Sequence, residues 1–472
     1  MIEKNKIFIN GKWIDSDGRE KITVVNPATE EAFATVPRGT AKDVDLAANA
    51  AANAFESWSQ TTVDERIAIF TRARDLLAQR VDEVTHLTVS EVGYPAAWAK
   101  MAHAQGSVDE FDIVIQSLPR IEWRQQIKPN ISLEREAAGV VGAITPWNGP
   151  LASICTKAGA AIAAGCAVVL KSSEVAPLTS FIYAEVFEQA GLPPGVLNLV
   201  TGTGPEVGEA IVNHPKVEMV SLTGSLRAGR RVMELAAPSV KRLILELGGK
   251  SANIVLDDAD LELAVADGMK DAYRNTGQSC GCLSRMMVPE SKLAQVEEIA
   301  RAVAETYRPG DPFDPATTLG PVANANQYER VRNYIQSGID DGARLITGGS
   351  ERPAGLDRGY FIRPTVFSGN NACRIAREEI FGPVLTIMTY RDEEDAIRMA
   401  NDSQYGLAGG VWSGDIEHAR RVARRIRTGR VRLNAEGLSR WAPHGGIKLS
   451  GFGREWGQLG IEEFTYYKSI LG

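Results

Sequence analysis

Between residues 137 and 256 the chain alternates short apolar runs with segments of helical length, and this alternation constrains the fold more than any other feature. Short buried strands that alternate with helices indicate a parallel sheet of βαβ units with right-handed connections. The strands are expected at 139–145, 166–170, 196–200, 217–222, 241–247 and 252–256, and the helices at 151–164, 178–190, 205–213 and 226–236.

The length of 472 residues exceeds what one hydrophobic core usually holds, so we expect two or three domains. The Ala-rich stretch 42–118 has helical spacing and is interrupted near Gly93–Pro95, which predicts two or more helices. A second alternation indicates another α/β unit. Its helices are expected at 261–275, 291–306 and 326–341, and its strands at 283–288, 383–390 and 431–433.

The charge balance and the cysteine content exclude several classes of protein. A formal net charge of −7 without a long Lys/Arg run predicts no nucleic-acid and no membrane partner. Five cysteines are too few for a disulfide framework in a chain of this length. The first residues lack the apolar core of a signal peptide, and no run reaches the length of a membrane span. We therefore expect a cytoplasmic protein.

The segment NTGQSCGCLSR, at 275–285, carries the strongest chemical signal. Cys280 stands among small residues and near an amide, a setting in which a thiolate can be exposed and attack a carbonyl carbon. A buried, inert cysteine is the alternative interpretation. Cys282 completes a Cys-x-Cys pair, but no second Cys or His pair follows at zinc-ligand spacing. We therefore expect no metal site.

Two further polar residues follow predicted strands, where the ligand sites of α/β proteins collect. Glu246 ends an apolar run and precedes two glycines, so its carboxylate could act as a general base. A solvated or ion-paired glutamate is the alternative. Asn148 follows the run at 139–145, and its side-chain N–H could stabilise an oxyanion. An ordinary turn built from Pro, Asn and Gly is the alternative there.

Two other strand ends could hold a nucleotide. Lys171 and Glu174 follow one strand, where they could reach ribose hydroxyls. Thr223 and Gly224 close another strand, and Ser225 is expected to cap the helix that follows. The free N–H groups at such a helix N-terminus can bind a pyrophosphate.

Taken together, these segments closely resemble the aldehyde dehydrogenase family. The matching motifs occur in the family's order and at about its spacing, and they cover nearly the whole chain. Any one motif is modest evidence, whereas the ordered set is specific. The motifs are PWN at 146–148, KSSE at 171–174, LTGS at 222–225, LELGGK at 245–250, NTGQSC at 275–280, EEIFGPV at 378–384, PHGG at 443–446 and SGFGRE at 450–455.

The resemblance implies an α/β fold with a Rossmann-like NAD-binding domain, a second α/β catalytic domain and a small β extension for oligomerisation. A homodimer or homotetramer follows from that extension. The NAD-binding domain is expected at 1–117 and 139–248, the catalytic domain at 249–449, and the oligomerisation segments at 118–138 and 450–472.

The resemblance also implies a role for each site residue. Cys280 attacks an aldehyde, and Asn148 together with the Cys280 N–H holds the oxyanion. Glu246, assisted by Lys157, activates the water that hydrolyses the resulting thioester. NAD is favoured over NADP, because a carboxylate at Glu174 would repel a 2′-phosphate. The residues expected to bind NAD are Trp147, Lys171, Glu174, Thr223, Gly224, Ser225, Glu379 and Phe381.

Several departures from the family's pattern predict a roomier or more polar substrate pocket. Gly149 stands where many relatives carry Phe, Ser153 and Thr156 replace larger residues, and His444 replaces the usual Phe of a PFGG motif. We therefore expect bulky or aromatic aldehydes to be better substrates than acetaldehyde. For His444, a packed imidazole without substrate contact is the alternative.

Cys282 completes the set of residues expected in the substrate pocket. Cys280 is expected to have enhanced thiolate character and so to be the cysteine most exposed to peroxide. In an extended chain, Cys282 would lie at the upper edge of disulfide reach and could capture an oxidised Cys280 reversibly. Packing as a small apolar residue is the alternative.

Two rival functions belong to the same fold. A CoA-acylating semialdehyde dehydrogenase would lack the base at the position of Glu246, which is present. A non-catalytic binding protein would have lost Cys280, Asn148 or Glu246, and all three are present. The residues therefore favour a hydrolytic, NAD-dependent aldehyde dehydrogenase.

Overall fold

The computed structural model describes residues 1–472, which form twenty-three strands and seventeen α-helices. The strands are β1 (Ile2–Glu3), β2 (Lys6–Ile9), β3 (Lys12–Asp15), β4 (Lys21–Asn26), β5 (Glu31–Pro37), β6 (Arg124–Lys128), β7 (Ile131–Ala137), β8 (Val140–Ile144), β9 (Ala167–Lys171), β10 (Leu197–Leu199), β11 (Met219–Thr223), β12 (Arg242–Glu246), β13 (Ala252–Val255), β14 (Arg285–Pro289), β15 (Arg344–Thr347), β16 (Thr365–Ser368), β17 (Val384–Tyr390), β18 (Tyr405–Gly406), β19 (Ala408–Trp412), β20 (Arg430–Leu433), β21 (Ile447–Lys448), β22 (Gly451–Phe452) and β23 (Thr465–Leu471). The α-helices are α1 (Ala41–Trp58), α2 (Val63–Ala78), α3 (Val81–Val92), α4 (Ala96–Trp98), α5 (Gly106–Ser117), α6 (Pro150–Ile154), α7 (Ala160–Ala164), α8 (Leu178–Gln189), α9 (Glu209–Asn213), α10 (Leu226–Ala236), α11 (Leu261–Ala272), α12 (Leu293–Thr306), α13 (Ala325–Asp340), α14 (Arg374–Arg377), α15 (Glu393–Asn401), α16 (Ile416–Ala423) and α17 (Gly457–Glu462).

The largest sheet has eight strands in the order β22-β12-β11-β8-β9-β10-β2-β3. Its five central strands are parallel, whereas β22, β2 and β3 are antiparallel to their neighbours. From β8 the chain moves outward through β9 and β10 in one direction, and through β11 and β12 in the other. The strand order therefore switches between β8 and β11, and ligands bind α/β sheets at the carboxyl edge beside such a switch.

Helices bury both faces of this sheet. Along β8, Val140 and Ile144 belong to one apolar core, whereas Val141 and Ala143 belong to another. Successive side chains of a strand point to opposite faces, so a strand that is covered on both sides must be apolar throughout. For this reason the sequence predicts β8 to β13 with bounds that differ from the observed ones by no more than two residues. The structure confirms the predicted α/β fold class.

The second sheet has seven strands in the order β15-β16-β17-β14-β13-β19-β20, and every strand except β15 is parallel to its neighbours. The loops before its strands face the carboxyl edge of the first sheet. The Gly249 amide donates a hydrogen bond to the Glu379 carboxylate at 3.0 Å, and the Asn148 side chain donates to the Gln278 carbonyl at 3.0 Å. The two edges together enclose a cleft.

A three-stranded sheet, in the order β23-β7-β6, forms an extension. β23 pairs with β7 along its whole length. The segments expected here, 118–138 and 450–472, differ in detail from what the structure contains. The first begins with a 3₁₀ turn at Leu118–Arg120, and β22 of the second belongs to the eight-stranded sheet because its backbone pairs with β12.

The strands before residue 38 have no counterpart in the sequence predictions. β1, β5 and β4 form a further three-stranded sheet, and β2 and β3 extend the edge of the largest sheet. None of the helices has the length and apolar character needed to cross a membrane.

Candidate active site

Four strands of the largest sheet end in polar segments that lie next to one another. β8 leads into Asn148, β9 ends at Lys171, β11 ends at Thr223 and β12 ends at Glu246. Parallel pairing brings these ends to one edge, and Thr223 lies directly opposite Glu246 in the register of β11 and β12. The segments that the sequence singles out at strand ends therefore meet beside the switch between β8 and β11.

Cys280 approaches this edge on a strained loop that precedes β14. Asn275 and Thr276 have φ values of 50° and 55°, and Gly277 follows with a φ of 72°. Left-handed backbone is costly for a β-branched residue such as Thr276, whose hydroxyl donates to the Gly320 carbonyl at 3.0 Å. Strain of this kind persists only where the surrounding contacts hold it, and it is typical of functional loops.

Gln278 fixes this loop against Asn148. The buried side-chain amide of Gln278 donates to the Asn275 carbonyl at 3.1 Å, and its oxygen accepts from the Ala323 amide at 2.9 Å. The backbone carbonyl of Gln278 accepts one N–H of the Asn148 side chain at 3.0 Å. The amide carries a second N–H that can donate into the cleft, so Asn148 can serve as an oxyanion donor near Cys280.

The thiol of Cys280 is partly exposed, but its surroundings do not favour the thiolate. Burial and the nearby Glu246 carboxylate raise the pKa of the Cys280 thiol to about 12, and the Arg430 guanidinium opposes this shift only in part. This direction is opposite to the enhanced thiolate character expected from the sequence. The loop brings the sulfur into a cleft beside a carboxylate, where the charged form is poorly stabilised. A nucleophilic attack by this thiol would therefore require removal of its proton.

Glu246 is placed to act as a base, and it lines the same cavity as Cys280. Its side chain is buried, and neither carboxylate oxygen accepts a hydrogen bond from the protein. A Cβ on Gly445 would lie 2.9 Å from Oε1 of Glu246, so this glycine of the PHGG motif allows the chain to pack close to the carboxylate. Lone pairs that the protein does not use can accept a proton from a bound molecule.

His444 lies in the cavity wall, but its ring nitrogens contact protein groups. Nδ1 lies 3.1 Å from Nη1 of Arg430, and Nε2 lies 3.3 Å from Oε2 of Glu246. One face of the ring stacks on Trp456, with the ring centroids 4.5 Å apart. Because the imidazole is only 6% exposed, it offers little surface to a substrate. The structure favours the packed imidazole over a direct substrate contact.

Lys157 is fully buried in a π-helical turn between α6 and α7, and its ammonium pairs with the Glu455 carboxylate. The resemblance predicts that Lys157 assists Glu246, whereas in the structure Lys157 contacts Glu455. The backbone of Glu455 exchanges two hydrogen bonds of 2.7 Å with the backbone of His444, which contacts Glu246. Glu455 belongs to the SGFGRE motif, yet the sequence alone does not single it out, because most glutamates in polar segments are solvated.

The cleft contains a cavity of about 880 Å³, a size typical of a small-molecule site. Gly149, Ser153 and Thr156, three of the residues expected in the substrate pocket, line it together with His444. A Cβ added at Gly149 would lie 3.5 Å from Cε1 of His103 and from Oγ of Ser153, which are ordinary contact distances. A Cβ at Gly149 would therefore fit against these neighbours without displacing them.

Cys282 does not line this cavity, which corrects its expected place in the substrate pocket. Its amide donates to the Ser279 carbonyl at 3.1 Å, so residues 279–282 form a turn rather than an extended chain. The turn directs the Cys282 thiol inward, where it lies 3.9 Å from the Arg274 carbonyl oxygen. Burial raises the pKa of this thiol to about 11. These contacts favour a packing role.

Four arginines line the cavity, and none of them belongs to a motif singled out in the sequence. Most are engaged elsewhere: the guanidinium of Arg432 pairs with Asp267, and that of Arg440 donates to the Gly106 carbonyl at 2.6 Å. Arg430 differs, because it forms no ion pair with a carboxylate and instead approaches His444. Arginine is common on protein surfaces, so its count and spacing carry no signal here. The four are Arg274, Arg430, Arg432 and Arg440.

The ends of β9 and β11 have the features of a nucleotide site. The Lys171 ammonium donates to Oε2 of Glu174 at 2.8 Å. Burial disfavours the Glu174 carboxylate, but the Lys171 charge and hydrogen bonds outweigh it and lower the pKa of Glu174. The Ser225 hydroxyl accepts from the Ala228 amide at 3.2 Å and so caps α10, whose positive end suits a phosphate.

The loop before β17 supplies a second carboxylate. Burial raises the pKa of Glu379, which accepts the Gly249 amide hydrogen bond. A Cβ on Gly248 would lie 2.5 Å from Oε2 of Glu379, so only glycine permits this approach. The rings of Phe381 and Trp147 meet edge to face, with centroids 5.4 Å apart. Two carboxylates for ribose hydroxyls and a capped helix for a pyrophosphate fit a dinucleotide.

The chain contains no cluster of three or more His, Cys, Asp or Glu side chains placed to hold a metal ion.

Comparisons with known proteins agree over almost the whole chain. The model of the aldehyde dehydrogenase family matches residues 13–470. A 3-succinoylsemialdehyde-pyridine dehydrogenase of a Pseudomonas species is 47% identical over 474 residues, which cover 100% of this chain and 99% of that protein. A solved aldehyde dehydrogenase of Pseudomonas syringae, a mutant in complex with NAD+ and octanal, has a TM-score of 0.98 and 45% identity, covering 99% of this chain and 96% of that one. A Mycobacterium tuberculosis aldehyde dehydrogenase in complex with NAD+ has a TM-score of 0.97 and 41% identity, covering 100% and 98%.

These matches confirm the resemblance seen in the motifs, and they extend it from short segments to the complete fold. The likeness in sequence is well above the level at which only the fold would be shared. The chain therefore belongs to the aldehyde dehydrogenase family and is an oxidoreductase that acts on aldehydes.

Proposed function

We propose that the protein oxidises an aldehyde to a carboxylic acid, with NAD as the electron acceptor, through a thioester on Cys280 that water hydrolyses. One observation carries the proposal. The buried Glu246 carboxylate, whose oxygens accept no hydrogen bond from the protein, lines the same cavity as Cys280. An acyl transfer to coenzyme A would use the thiol of that molecule and need no base for water. The arrangement therefore favours hydrolysis over CoA acylation, and catalysis over a binding role.

The first step is attack of the Cys280 sulfur on the aldehyde carbon. Because the pKa of the thiol is raised to about 12, its proton leaves to water in the cleft as the sulfur–carbon bond forms. The aldehyde oxygen becomes an oxyanion, which accepts hydrogen bonds from the Asn148 side chain and the Cys280 backbone N–H. NAD supplies the acceptor for the hydride that the same carbon then loses. The acyl group remains on Cys280 as a thioester.

The second step releases the acid. Glu246 takes a proton from water as the water oxygen bonds to the thioester carbon. The carbon–sulfur bond breaks, and Cys280 leaves as the thiolate. Lys157, in its pair with Glu455, is assigned as the group that assists Glu246, since the backbone of Glu455 is bonded to that of His444 beside the base.

NAD is the cofactor of this reaction, as in the two solved relatives that hold NAD+. The carboxylates of Glu174 and Glu379 are assigned to the two riboses, and the N-terminus of α10 to the pyrophosphate. The domain division follows the two sheets, with 1–117 and 139–248 around NAD and 249–449 carrying Cys280. The residues assigned to NAD are Trp147, Lys171, Glu174, Thr223, Gly224, Ser225, Glu379 and Phe381.

The substrate is assigned as an aldehyde with a bulky or extended substituent. The cavity of about 880 Å³ and the lack of a side chain at Gly149 support this assignment. So do the names of two relatives, one of which acts on a pyridine-bearing semialdehyde and the other of which was crystallised with octanal. A small substrate such as acetaldehyde would leave most of the cavity wall without contact.

The extension formed by β6, β7 and β23 is assigned to self-association as a homodimer or homotetramer. Tyr466, Tyr467 and Ile470 of β23 are exposed large side chains, a pattern typical of a covered surface. A cytoplasmic location is proposed because all five cysteines are free thiols, which suits a reducing compartment. Sedimentation of the protein at micromolar concentration tests the association, and a monomer would contradict it.

The proposed reaction is tested by incubating the protein with NAD and a bulky aldehyde, with and without coenzyme A, in ¹⁸O-labelled water. We expect NADH and a carboxylic acid that carries at least one labelled oxygen, formed at the same rate in both mixtures. NADH formation that requires coenzyme A, or an acyl-CoA product, would contradict hydrolysis. The Cys280→Ala variant is the control for any chemical oxidation without the enzyme.

A further inference from the structure

We propose that His444 is a positioning residue for the general base: its Nε2–H lies beside the Glu246 carboxylate and donates to it when the carboxylate turns, and Arg430 fixes the ring tautomer that makes this possible. The inference rests on the proposed role of Glu246 in hydrolysis. A phenylalanine, the residue usual at this place in the family's motif, could neither donate to the carboxylate nor accept from the arginine. These two contacts therefore depend on the histidine that this chain has at position 444.

Arg430 determines which ring nitrogen carries the proton. Its Nη1 lies 3.1 Å from Nδ1 of His444. A guanidinium group has N–H donors and no acceptor, so Nδ1 must accept this hydrogen bond. In neutral imidazole only one nitrogen is protonated, and the proton is therefore on Nε2. That nitrogen lies 3.3 Å from Oε2 of Glu246, within reach of the carboxylate although its N–H is not aligned with that oxygen.

Arg430 itself is held in place from the side of the nucleophile. It begins β20, in the second sheet, and its guanidinium carbon lies 5.5 Å from the centroid of the Trp456 ring. A Cβ on Gly281 would lie 2.6 Å from Nη2 of Arg430, so the glycine after Cys280 gives the arginine room to cross the cleft. The base and the nucleophile are thus connected through protein contacts that run from the Cys280 loop to Glu246.

The ring of His444 has little freedom to turn away. It stacks on Trp456 with an interplanar angle of 21°, and its backbone exchanges two hydrogen bonds of 2.7 Å with Glu455. The ring is 6% exposed. A donor with so few accessible rotamers loses little entropy when it binds a carboxylate. The geometry suits a fixed contact that orients Glu246 rather than a group that exchanges with solvent.

Glu246 has no other partner that could orient it. Neither of its oxygens accepts an aligned hydrogen bond, and the basic side chain that contacts it is His444, through Nε2. The contact of 3.3 Å is longer than a strong charge-assisted hydrogen bond. A small rotation of the carboxylate would close it, and the remaining oxygen would then face the water that the base activates.

The test uses pre-steady-state kinetics, which separate formation of the acyl-enzyme from its hydrolysis. His444→Phe keeps an aromatic ring against Trp456 but removes both nitrogens. We expect the rate of the first NADH turnover to stay within about threefold, while steady-state turnover falls about tenfold or more. The acyl group should then accumulate on Cys280 in intact-mass spectra. Because only the later step slows, kcat and KM should fall together and kcat/KM should hold.

Two further variants make the result specific. His444→Gln places an amide N–H at a comparable reach and should recover part of the lost turnover. His418→Phe is the matched control, because it removes a His–Glu contact of 2.5 Å, to Glu393, far from the cleft. This control should turn over like the wild type. Melting temperatures of all variants separate a loss of folding from a loss of function.

A double-mutant cycle with Glu246→Gln decides whether His444 acts through the base. In the Glu246→Gln background, His444→Phe should change the hydrolysis rate by less than about twofold. Equal effects in both backgrounds would overturn the inference, as would a parallel loss of the first turnover. Unchanged turnover in His444→Phe would also overturn it and leave the proposed function standing. Unchanged turnover in Glu246→Gln would instead refute the proposed function.

Discussion

Replacing Gly149 by Phe should narrow the substrate range, because the glycine lines the cavity and places no side chain in it. The backbone at Gly149 is not left-handed, since φ is −151° and ψ is 63°. A Cβ there meets His103 and Ser153 at 3.5 Å, so the first carbon of a side chain fits without displacement. The ring of Phe must then extend into the cavity, where it competes with the substituent of a bulky aldehyde.

The size of the effect follows from the apolar contact that a large substrate would lose. One methylene in a hydrophobic pocket is worth about 10- to 200-fold in specificity, and an aromatic ring excludes at least that much volume. We expect kcat/KM for octanal and aromatic aldehydes to fall about 10- to 200-fold, and that for acetaldehyde to change less than about threefold. NADH formation over a panel of aldehydes measures both ratios.

Gly149→Ala is the matched control, because its Cβ meets only ordinary contacts. It should retain activity on the whole panel. An equal loss on small and large aldehydes in Gly149→Phe, without a lower melting temperature, would refute the reasoning that this wall limits substrate size.

Two other predictions concern the cofactor and the thiol. Glu174→Ser should raise kcat/KM for NADP relative to NAD about tenfold, because it removes a carboxylate that repels a 2′-phosphate and leaves the Lys171 ammonium free to bind it; a wild type that prefers NADP would contradict the assignment. Alkylation of Cys280 by iodoacetamide in the protein alone should accelerate about tenfold per pH unit between about pH 7 and 9, because its pKa of about 12 keeps the thiolate fraction small and proportional to hydroxide. Peptide mass spectrometry measures this rate, and a plateau near neutral pH would show a thiolate instead.

The strands of the first sheet could be predicted because burial on both faces makes them continuously apolar. The motif residues at their ends could be predicted for the same reason, since a polar residue after such a run marks the carboxyl edge. The N-terminal strands were beyond this reasoning. β4 and β5 contain both exposed and buried positions, so they lack a continuous apolar run. They pair with each other in a small sheet, which the repeated strand–helix pattern of the rest of the chain does not predict. β19, AGGVW, is rich in glycine and lacks the β-branched signature of a strand.

The sequence predicted which residues form the site better than it predicted their chemical properties. The raised pKa of Cys280 depends on a carboxylate that lies 34 positions earlier in the chain (280 − 246) and meets the thiol only through the fold. The inward direction of Cys282 depends on a turn that spacing alone does not reveal. His444 and Arg430 contact each other, but neither residue type alone predicts this contact from the sequence.

The central claim is that Glu246 activates the water that hydrolyses a thioester on Cys280. Mixing Glu246→Gln with NAD and octanal tests it directly. The account predicts a first burst of NADH, close to one per active site, and then steady turnover about 100-fold or more below wild type. Intact-mass spectra taken after the burst should show the octanoyl group on Cys280. Steady turnover equal to that of the wild type, or a slow phase without any acyl group on Cys280, would contradict the account.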